Sequence, residues 1–512
     1  MHQFFIFTFL LLGLTPLCQS AEPSEAKLNV LYNSLDPKSI SQHFAFYELY
    51  ANRPIGKKAL QDAWSLITGS QSIPMNALTL QSLSATSISS LVALVNKSPD
   101  QPPPNLSETD LSLIEQLSSH LAHVKLKGHQ AISENDVLQL PLEEIDLARG
   151  LFLSQFESDF YKIRLYEATI DLMALQILAR LAPNATAEDK IQTINRFIFE
   201  EMGFRFPPHS IYSQDIDLYT FLPSVLDSRR GVCLGVSILY LCLAQRLALP
   251  LEMITPPGHI YVRYRAPEQV INIETTARGI HIDSKEYLSI NTRALQQRTI
   301  KEVIGLAHTN QAAVYLQKGE FAQALTAYQK AAPYMKGDFW HKELMAYAYL
   351  LSGHTQMGKK LLEEVKDYTP DYAIKGETTA KDYLLGNVDE EGIKAIFKHV
   401  DEDRKSILAK KQALEKIVHD YPKFHAGLFQ LAVTWLQLHR MGEALEVLRR
   451  YHILCPDDPE ANYYLAVLYQ QRRDYNKAWD HLRQVEAIVR TRQYEPKMLK
   501  ELRKELATCC PE

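Results

Sequence analysis

Nothing in the charge balance of this chain points to a nucleic acid. Its 512 residues carry 55 lysines and arginines against 60 aspartates and glutamates, a net charge of −5, without the basic surplus of a phosphate-backbone binder. Cysteine is scarce. The six present build no disulfide framework. Cys233 and Cys242 stand nine residues apart on one expected helix, about 13 Å at helical rise and too far to bridge. Cys455 is isolated, and Cys509 and Cys510 are adjacent, with the means to pair only with something met after export. Beyond the first residues no stretch is apolar enough to span a bilayer. Phosphate-binding glycine loops are missing, and residues 22–182 show no set of metal ligands. His209 and Asp215 are two scattered ligand types without a spacing motif, so no metal and no cofactor is expected.

What is present as chemistry lies in one stretch, 229–276. It opens Arg-Arg-Gly-Val-Cys-Leu-Gly and runs into a proline-free segment, 233–247, whose apolar residues cover nearly every face. That pattern predicts a buried helix with Cys233 at its start. Gly231 and Gly235 flank the cysteine and suggest a tight turn with close backbone approach. A thiol at a helix N-terminus meets unpaired N–H groups and the positive end of the dipole, both of which favour the nucleophilic thiolate. Downstream, Pro256-Pro257-Gly258-His259 leads into 260–264, which alternates and is β-rich. This predicts a strand with His259 at its mouth, sharing a face with Tyr261 and Arg263. A second strand is expected over 270–276, with Asn272 and Glu274 on one face. A cysteine activated by a histidine, itself oriented by an acid or amide, is the plan of nucleophilic acyl transfer.

These elements resemble the transglutaminase-like fold: Gly-x-Cys opening a helix, His opening a strand, an acid on the next strand. Arg-Gly-Val-Cys-Leu-Gly, Pro-Gly-His and Asn-Ile-Glu-Thr-Thr are similar to the SirB1-type branch of bacterial proteins, and the Asp/Tyr/Leu-rich run at 215–226 before the cysteine fits the same pattern. The compact spacing differs from papain, whose histidine follows its cysteine by roughly 130 residues or more. The resemblance implies Cys233 as nucleophile, His259 as general base and Glu274 as orienting acid. Aspartate is commoner at the third position, and Asn272 is the rival to Glu274 there. The branch includes members without the cysteine, which supplies a second reading: a catalytically inactive peptide- or protein-binding scaffold.

The remainder frames this core. Residues 4–17 are apolar and phenylalanine-rich, too short for a comfortable membrane span, and end near small residues. They predict a signal peptide cleaved after Ser20 or Ala21, hence an exported protein, periplasmic or secreted. Helical patterns follow over 40–49, 57–68 and 78–95. Ser107 to Asp110 and Thr186 to Asp189 have the form of capping boxes, the second opening a helix over 190–202. The tail repeats at a period of 34. Gly319, Ala324, Tyr328 and Ala331 recur as Gly353, Gly358, Leu362 and Val365; Ala432, Ala444, Leu448 and Tyr451 recur as Ala466, Ala478, Leu482 and Val485. This is the tetratricopeptide period and its small–large pattern. Leu414, Ile417 and Pro422 suit the second helix of a repeat in between, and 376–392 departs from the period as an insertion or decayed repeat.

The expectation is therefore an α+β protein, mostly helical, with a small transglutaminase-like α+β core and a C-terminal tetratricopeptide-like α-solenoid. Its parts are a signal peptide at 1–21, a helical region at 22–182, the core at 183–300 and the repeat array at 301–512. The expected function is thiol-dependent acyl transfer by Cys233, His259 and Glu274, hydrolysing an amide rather than cross-linking. A protein or peptide partner is expected on the array.

Overall fold

Hydroxyl and carboxylate side chains open many of the helices by accepting first-turn N–H groups that have no intrahelical acceptor. The computed structural model describes residues 23–69, 84–207, 219–400 and 403–511. The expected leader at 1–21, His209 and Asp215, and part of the helix expected over 78–95 lie outside the described residues. Contacts divide the chain into two units, Met1–Leu83 and Ser84–Glu512.

In the first unit, Ser24 caps α1 (Glu25–Asn33) and Ser39 caps α2 (Ile40–Tyr50), accepting from the Lys27 and Gln42 N–H groups. Pro54 begins α3 (Pro54–Thr68) at a position where its missing N–H costs nothing. Leu28, Phe44, Ala63 and Ile67 form the buried faces of these helices.

The second unit starts with α4 (Ala85–Val95) and α5 (Glu108–Ser118), the latter opened by a reciprocal Ser107–Asp110 capping box. The short α6 (Glu134–Gln139) and α7 (Leu147–Phe156) lead to the 21-residue α8 (Phe160–Arg180). Thr186 and Asp189 box the start of α9 (Ala187–Asn195). The expected helix over 190–202 changes character inside: Arg196–Glu201 winds as a π-turn, and the Met202 N–H reaches back five residues to the Phe197 carbonyl at 2.9 Å. That widening places Arg205 beside Arg230 in a parallel bridge. α10 (Leu222–Ser228) ends at Arg229, whose φ of 54° turns the chain left-handed. α11 (Cys233–Arg246) follows, buried on almost every side and packed between α8 and the sheet.

The sheet is antiparallel, in the order β3-β2-β1-β4, with β1 Leu251–Thr255, β2 Tyr261–Ala266, β3 Gln269–Ile273 and β4 Gln296–Arg298. β2 and β3 correspond to the two expected strands. β1 and β4 were not expected, because a five-residue run after proline and a polar three-residue edge carry little periodicity. The second expected strand also stops early. β3 ends at Ile273, and the Glu274 N–H bonds the Ile280 carbonyl at 2.9 Å. The chain then folds over a 3-10 turn, Thr275–Ala277.

Next come helix pairs: α12 (Ile300–Lys318) with α13 (Phe321–Ala331), and α14 (Phe339–Leu351) with α15 (Thr355–Val365). α16 (Thr379–Leu384) and α17 (Glu390–Phe397) occupy the stretch that breaks the 34-residue period, followed by α18 (Arg404–Asp420). Regular pairing returns in α19 (His425–Gln437) with α20 (Met441–Leu454), and α21 (Pro459–Gln471) with α22 (Tyr475–Arg490), ahead of α23 (Lys497–Cys509). Ala312, Ala324, Ala346, Ala432, Ala444, Ala466 and Ala478 are all fully buried, and their small size lets paired helices approach. The chain is thus mostly helical, with one small antiparallel sheet and a C-terminal helical solenoid.

Candidate active site

The N-terminus of α11 is clamped by backbone contacts. The Val232 N–H donates to the Tyr219 carbonyl at 3.1 Å and the Gly231 N–H to the Arg205 carbonyl at 3.2 Å. Gly235 passes so close to Tyr219 that a Cβ there would lie 2.2 Å from its carbonyl oxygen. This is the close approach the flanking glycines suggested. Cys233 is the first helical residue, and Val232 before it offers no side-chain cap. The thiol, half-buried, therefore sits where first-turn N–H groups lack helical acceptors.

His259 stands in the turn ahead of β2, its N–H held by the Pro256 carbonyl at 3.1 Å. Its Nε2 lies 2.6 Å from Oε2 of Glu274. The ring also lies close enough to the Cys233 sulfur to be influenced by it. The nearby Cys233 sulfur and then the bond to Glu274 raise the His259 pKa to about 9, so the ring is an imidazolium at neutral pH.

Glu274, 3 % exposed, has both oxygens engaged. Oε2 also accepts from the Tyr287 hydroxyl at 2.6 Å. Oε1 accepts from the Thr276 N–H at 3.1 Å and hydroxyl at 2.6 Å. Burial is the largest single influence on this carboxyl and pushes upward, but the bonds from His259, Thr276 and Tyr287 together outweigh it and hold the pKa near about 2. Tyr287 also stacks on the imidazole, ring centroids 5.6 Å apart and 15° from parallel. Neither Tyr287 nor Thr276 was singled out from the sequence. Thr276 at least follows the acid by two residues, whereas Tyr287 arrives from a loop with no signal of its own.

Asn272 is placed elsewhere. Its Nδ2 donates to the Ile282 carbonyl at 2.6 Å and to Ser284 Oγ at 2.9 Å, bracing the loop that carries Tyr287. The structure brings Cys233, His259 and Glu274 into one line and leaves Asn272 outside it. Cys242, further along α11, is fully buried, and burial pushes its thiol pKa far up.

Cys233 and His259 open onto a cavity of about 610 Å³, whose far wall comes from the helical array through Phe339, Trp340 and Tyr368.

Two further clusters escaped the sequence. Behind α11, Arg246 pairs with Asp171 at 2.6 Å, Arg149 with Glu167 at 2.6 Å and His129 with Asp146 at 3.3 Å. Burial takes His123 down to about 4 and Glu167 up to about 8. Ligand atoms of His123, His129 and Asp146 lie within 4.8 Å of one another, a gathering of metal-ligand types that the expectation for 22–182 did not include. Asp146 already caps α7 with one oxygen and bonds His129 with the other, and the Arg246 charge acts on His123. A cation there would meet that guanidinium. The cluster reads as a polar brace behind α11.

In the array, His425 Nδ1 lies 2.8 Å from Oδ1 of Asp382, and the same imidazole lies beside the Cys455 sulfur. Lys375 Nζ stands 3.5 Å from the Cys455 sulfur. The bond to Asp382 and then the nearby Cys455 sulfur raise the His425 pKa to about 10. Cys455 is 7 % exposed.

The core's geometry now has a counterpart among known proteins. Residues 164–315 match the family model of the transglutaminase-like superfamily. The transglutaminase-like domain so marked contains most of α8, all of α11, the whole sheet and most of α12. A UPF0162 protein of Xylella fastidiosa strain Temecula1 is 26 % identical over 102 residues, 19 % of this chain and 34 % of the relative; its namesake in strain 9a5c gives the same figures. The chain thus spans about a third of the length of the curated relatives it matches. Among solved structures, a MamA D159K mutant is 17 % identical with a TM-score of 0.19, covering 36 % of this chain and 98 % of that one. Pseudomonas aeruginosa pilF is 15 % identical with a TM-score of 0.23, covering 41 % and 85 %. At such scores these likenesses carry no argument, and the array is described from its own helices.

Proposed function

We propose that the transglutaminase-like domain works as a thiol-dependent acyl-transfer enzyme of the SirB1 type, hydrolysing an amide with Cys233, His259 and Glu274, in an exported protein whose array holds a protein or peptide partner. The observation that carries this reading is the placement of the His259 ring beside the Cys233 sulfur, with its Nε2 bonded to Glu274 at 2.6 Å.

The chemistry follows from that placement. The Cys233 sulfur attacks the amide carbonyl, and the first-turn N–H groups of α11 face the oxygen on which negative charge develops. His259, carrying its proton at neutral pH, gives it to the departing amine as the C–N bond breaks, leaving a thioester on Cys233. Neutral His259 then takes a proton from water as the water oxygen attacks the thioester; the C–S bond breaks, the acid leaves, and the thiolate–imidazolium pair with which the cycle began is restored. The His259 side chain is 27 % exposed, so water has access for the second half. Glu274 fixes the ring's orientation and stabilises its charge throughout.

An alkylating probe at mildly acidic pH tests the reading on the full chain. Cys233 should label well before Cys242, and His259→Ala should slow that labelling. Glu274→Ala should slow it less, and more than Asn272→Ala. Equal labelling of both cysteines, indifferent to His259, would overturn the enzyme and leave a peptide-binding scaffold.

A further inference from the structure

The cavity at Cys233 is not a closed pocket of the core. The same cavity of about 610 Å³ reaches Glu343, Glu377 and Glu460 on the array side. A second, of about 390 Å³, shares Asn291, Lys375, Gly376, Glu377 and Glu460 with it and continues along the array past Phe429 and Gln430. The two form one groove, longer than a small amide needs.

Its charges are unbalanced. Arg298, at the core end, is taken by Asp338, and Lys375 by Asp457 at 3.0 Å and Asp458 at 3.9 Å. Lys410, in the second cavity, donates to the Ile396 carbonyl at 3.0 Å. Glu343 is bonded by the Tyr347 hydroxyl, but no described residue gives Glu377 or Glu460 a hydrogen bond or an ion pair. Burial first and neighbouring carboxylates second raise Glu343, by way of Glu377, and Glu460, by way of Asp458 and Glu377, each to about 7, while Glu377 itself is exposed in the groove. Crowded carboxyls of this kind take up protons near neutrality, and a cation bound among them would restore their charge and pair with it. Trp340, 46 % exposed, and Tyr368, 41 % exposed, add aromatic surface suited to the same cation and its aliphatic stem. Gln430, in the second cavity, has a buried Oε1 without a partner, an acceptor for a backbone N–H.

We propose that the groove selects a polypeptide acyl donor bearing a lysine or arginine side chain, whose cationic head lies among Glu343, Glu377 and Glu460 while the acyl carbon meets Cys233. The inference rests on the enzymatic reading above only for the direction in which the chain runs; the groove and its charge stand without it.

The test uses the full chain carrying Cys233→Ala, so that nothing turns over, and end-capped, fluorescein-labelled hexapeptide pools with lysine, norleucine or glutamate fixed at one position. By fluorescence anisotropy the lysine pool should bind about ten-fold or more tighter than the norleucine pool, the effect of one partly buried charge pair, and the glutamate pool weaker still. Glu377→Gln with Glu460→Gln should bring lysine down to norleucine while the melting temperature holds. Equal binding of the three pools would overturn the proposal, as would lysine selectivity indifferent to both substitutions. Competition by free 1,5-diaminopentane as effective as the lysine pool would replace the polypeptide by a small amine. Peptide turnover by the unaltered protein without preference for lysine would keep the triad and reject the groove. Lysine-selective binding with no turnover would keep the groove and reject the triad.

Discussion

Two cysteine–histidine–carboxylate lines lie in this chain, one in the transglutaminase-like domain and one in the array, and they are built from nearly the same groups. Cys233 stands beside His259, which bonds Glu274; Cys455 stands beside His425, which bonds Asp382. Both imidazoles are raised above the ordinary histidine value by those partners. The lines differ in placement. Cys233 begins a helix and opens onto a cavity, whereas Cys455 ends one as the C-cap of α20, near the negative end of its dipole. Cys233 is half-buried, while Cys455 is sealed beneath Lys375. A triad's composition therefore does not define an active site. Access for a carbonyl carbon, and donors for its oxygen, must coincide with the thiol, and of the two lines the first is the one that begins a helix and opens onto a cavity.

The sharpest way to break this contrast is to remove each sulfur. Cys233→Ala should abolish probe labelling at acidic pH and cut any amide turnover by about 10⁴-fold or more, whereas Cys455→Ala should leave turnover within about two-fold. A large loss from Cys455→Ala would mean that the array line takes part in the chemistry. Next come the histidines. His259→Ala should slow alkylation of Cys233 by about 10²-fold or more, the scale of a lost acid–base partner, and His425→Ala should not change that rate; stopped alkylation with mass analysis reads both.

Stability should show the reverse ranking. Cys455→Ala removes a buried side chain and should cost about 1 kcal/mol, while Cys233→Ala should cost about 0.5 kcal/mol or less; denaturant unfolding of the two variants decides it. The mildest effect concerns pH. His259 and His425 have folded pKa values of about 9 and about 10 against a free value of 6.5. Each contributes fully below pH 6.5 and loses its contribution as pH rises through its folded value. Melting temperature should therefore fall as pH climbs above neutrality, with His259→Gln removing the part of the fall centred lower and His425→Gln the part centred higher. Glu274, held near about 2 against 4.5, acts oppositely: its stabilisation is present above pH 4.5 and is lost as pH drops through about 2. Variant curves parallel to that of the parent would show that neither pair is coupled to folding.

What the sequence made legible was local. Gly231 and Gly235 announced the clamp at the start of α11, the Ser107 and Thr186 boxes announced two helices, and the 34-residue recurrence announced the pairs at α12–α15 and α19–α22. What stayed hidden was assembled over distance or in irregular chain. Tyr287 reaches Glu274 from a loop without periodicity. Asp382 lies in 376–392, where the repeat pattern fails, and meets His425 only once α16 packs on α19. His123, His129, Asp146 and Asp171 are drawn together by burial, which no spacing encodes. The π-turn was invisible because its residues, Arg196–Glu201, are ordinary helix formers.

That π-turn has a consequence in the currency of insertions and deletions. It holds one residue more than an α-helix of the same span needs. Deleting a single residue there would leave an unbroken, well-formed helix, yet everything after it would retreat by about 1.5 Å and swing by about 100°. Arg205 would then miss the Arg229 carbonyl and the Gly231 N–H, which it now meets at 3.1 and 3.2 Å. Those bonds hold the turn that presents Cys233. The extra residue is a spacer: a chain shortened by one at this point would still carry Cys233, His259 and Glu274, with its thiol aimed at the wrong place.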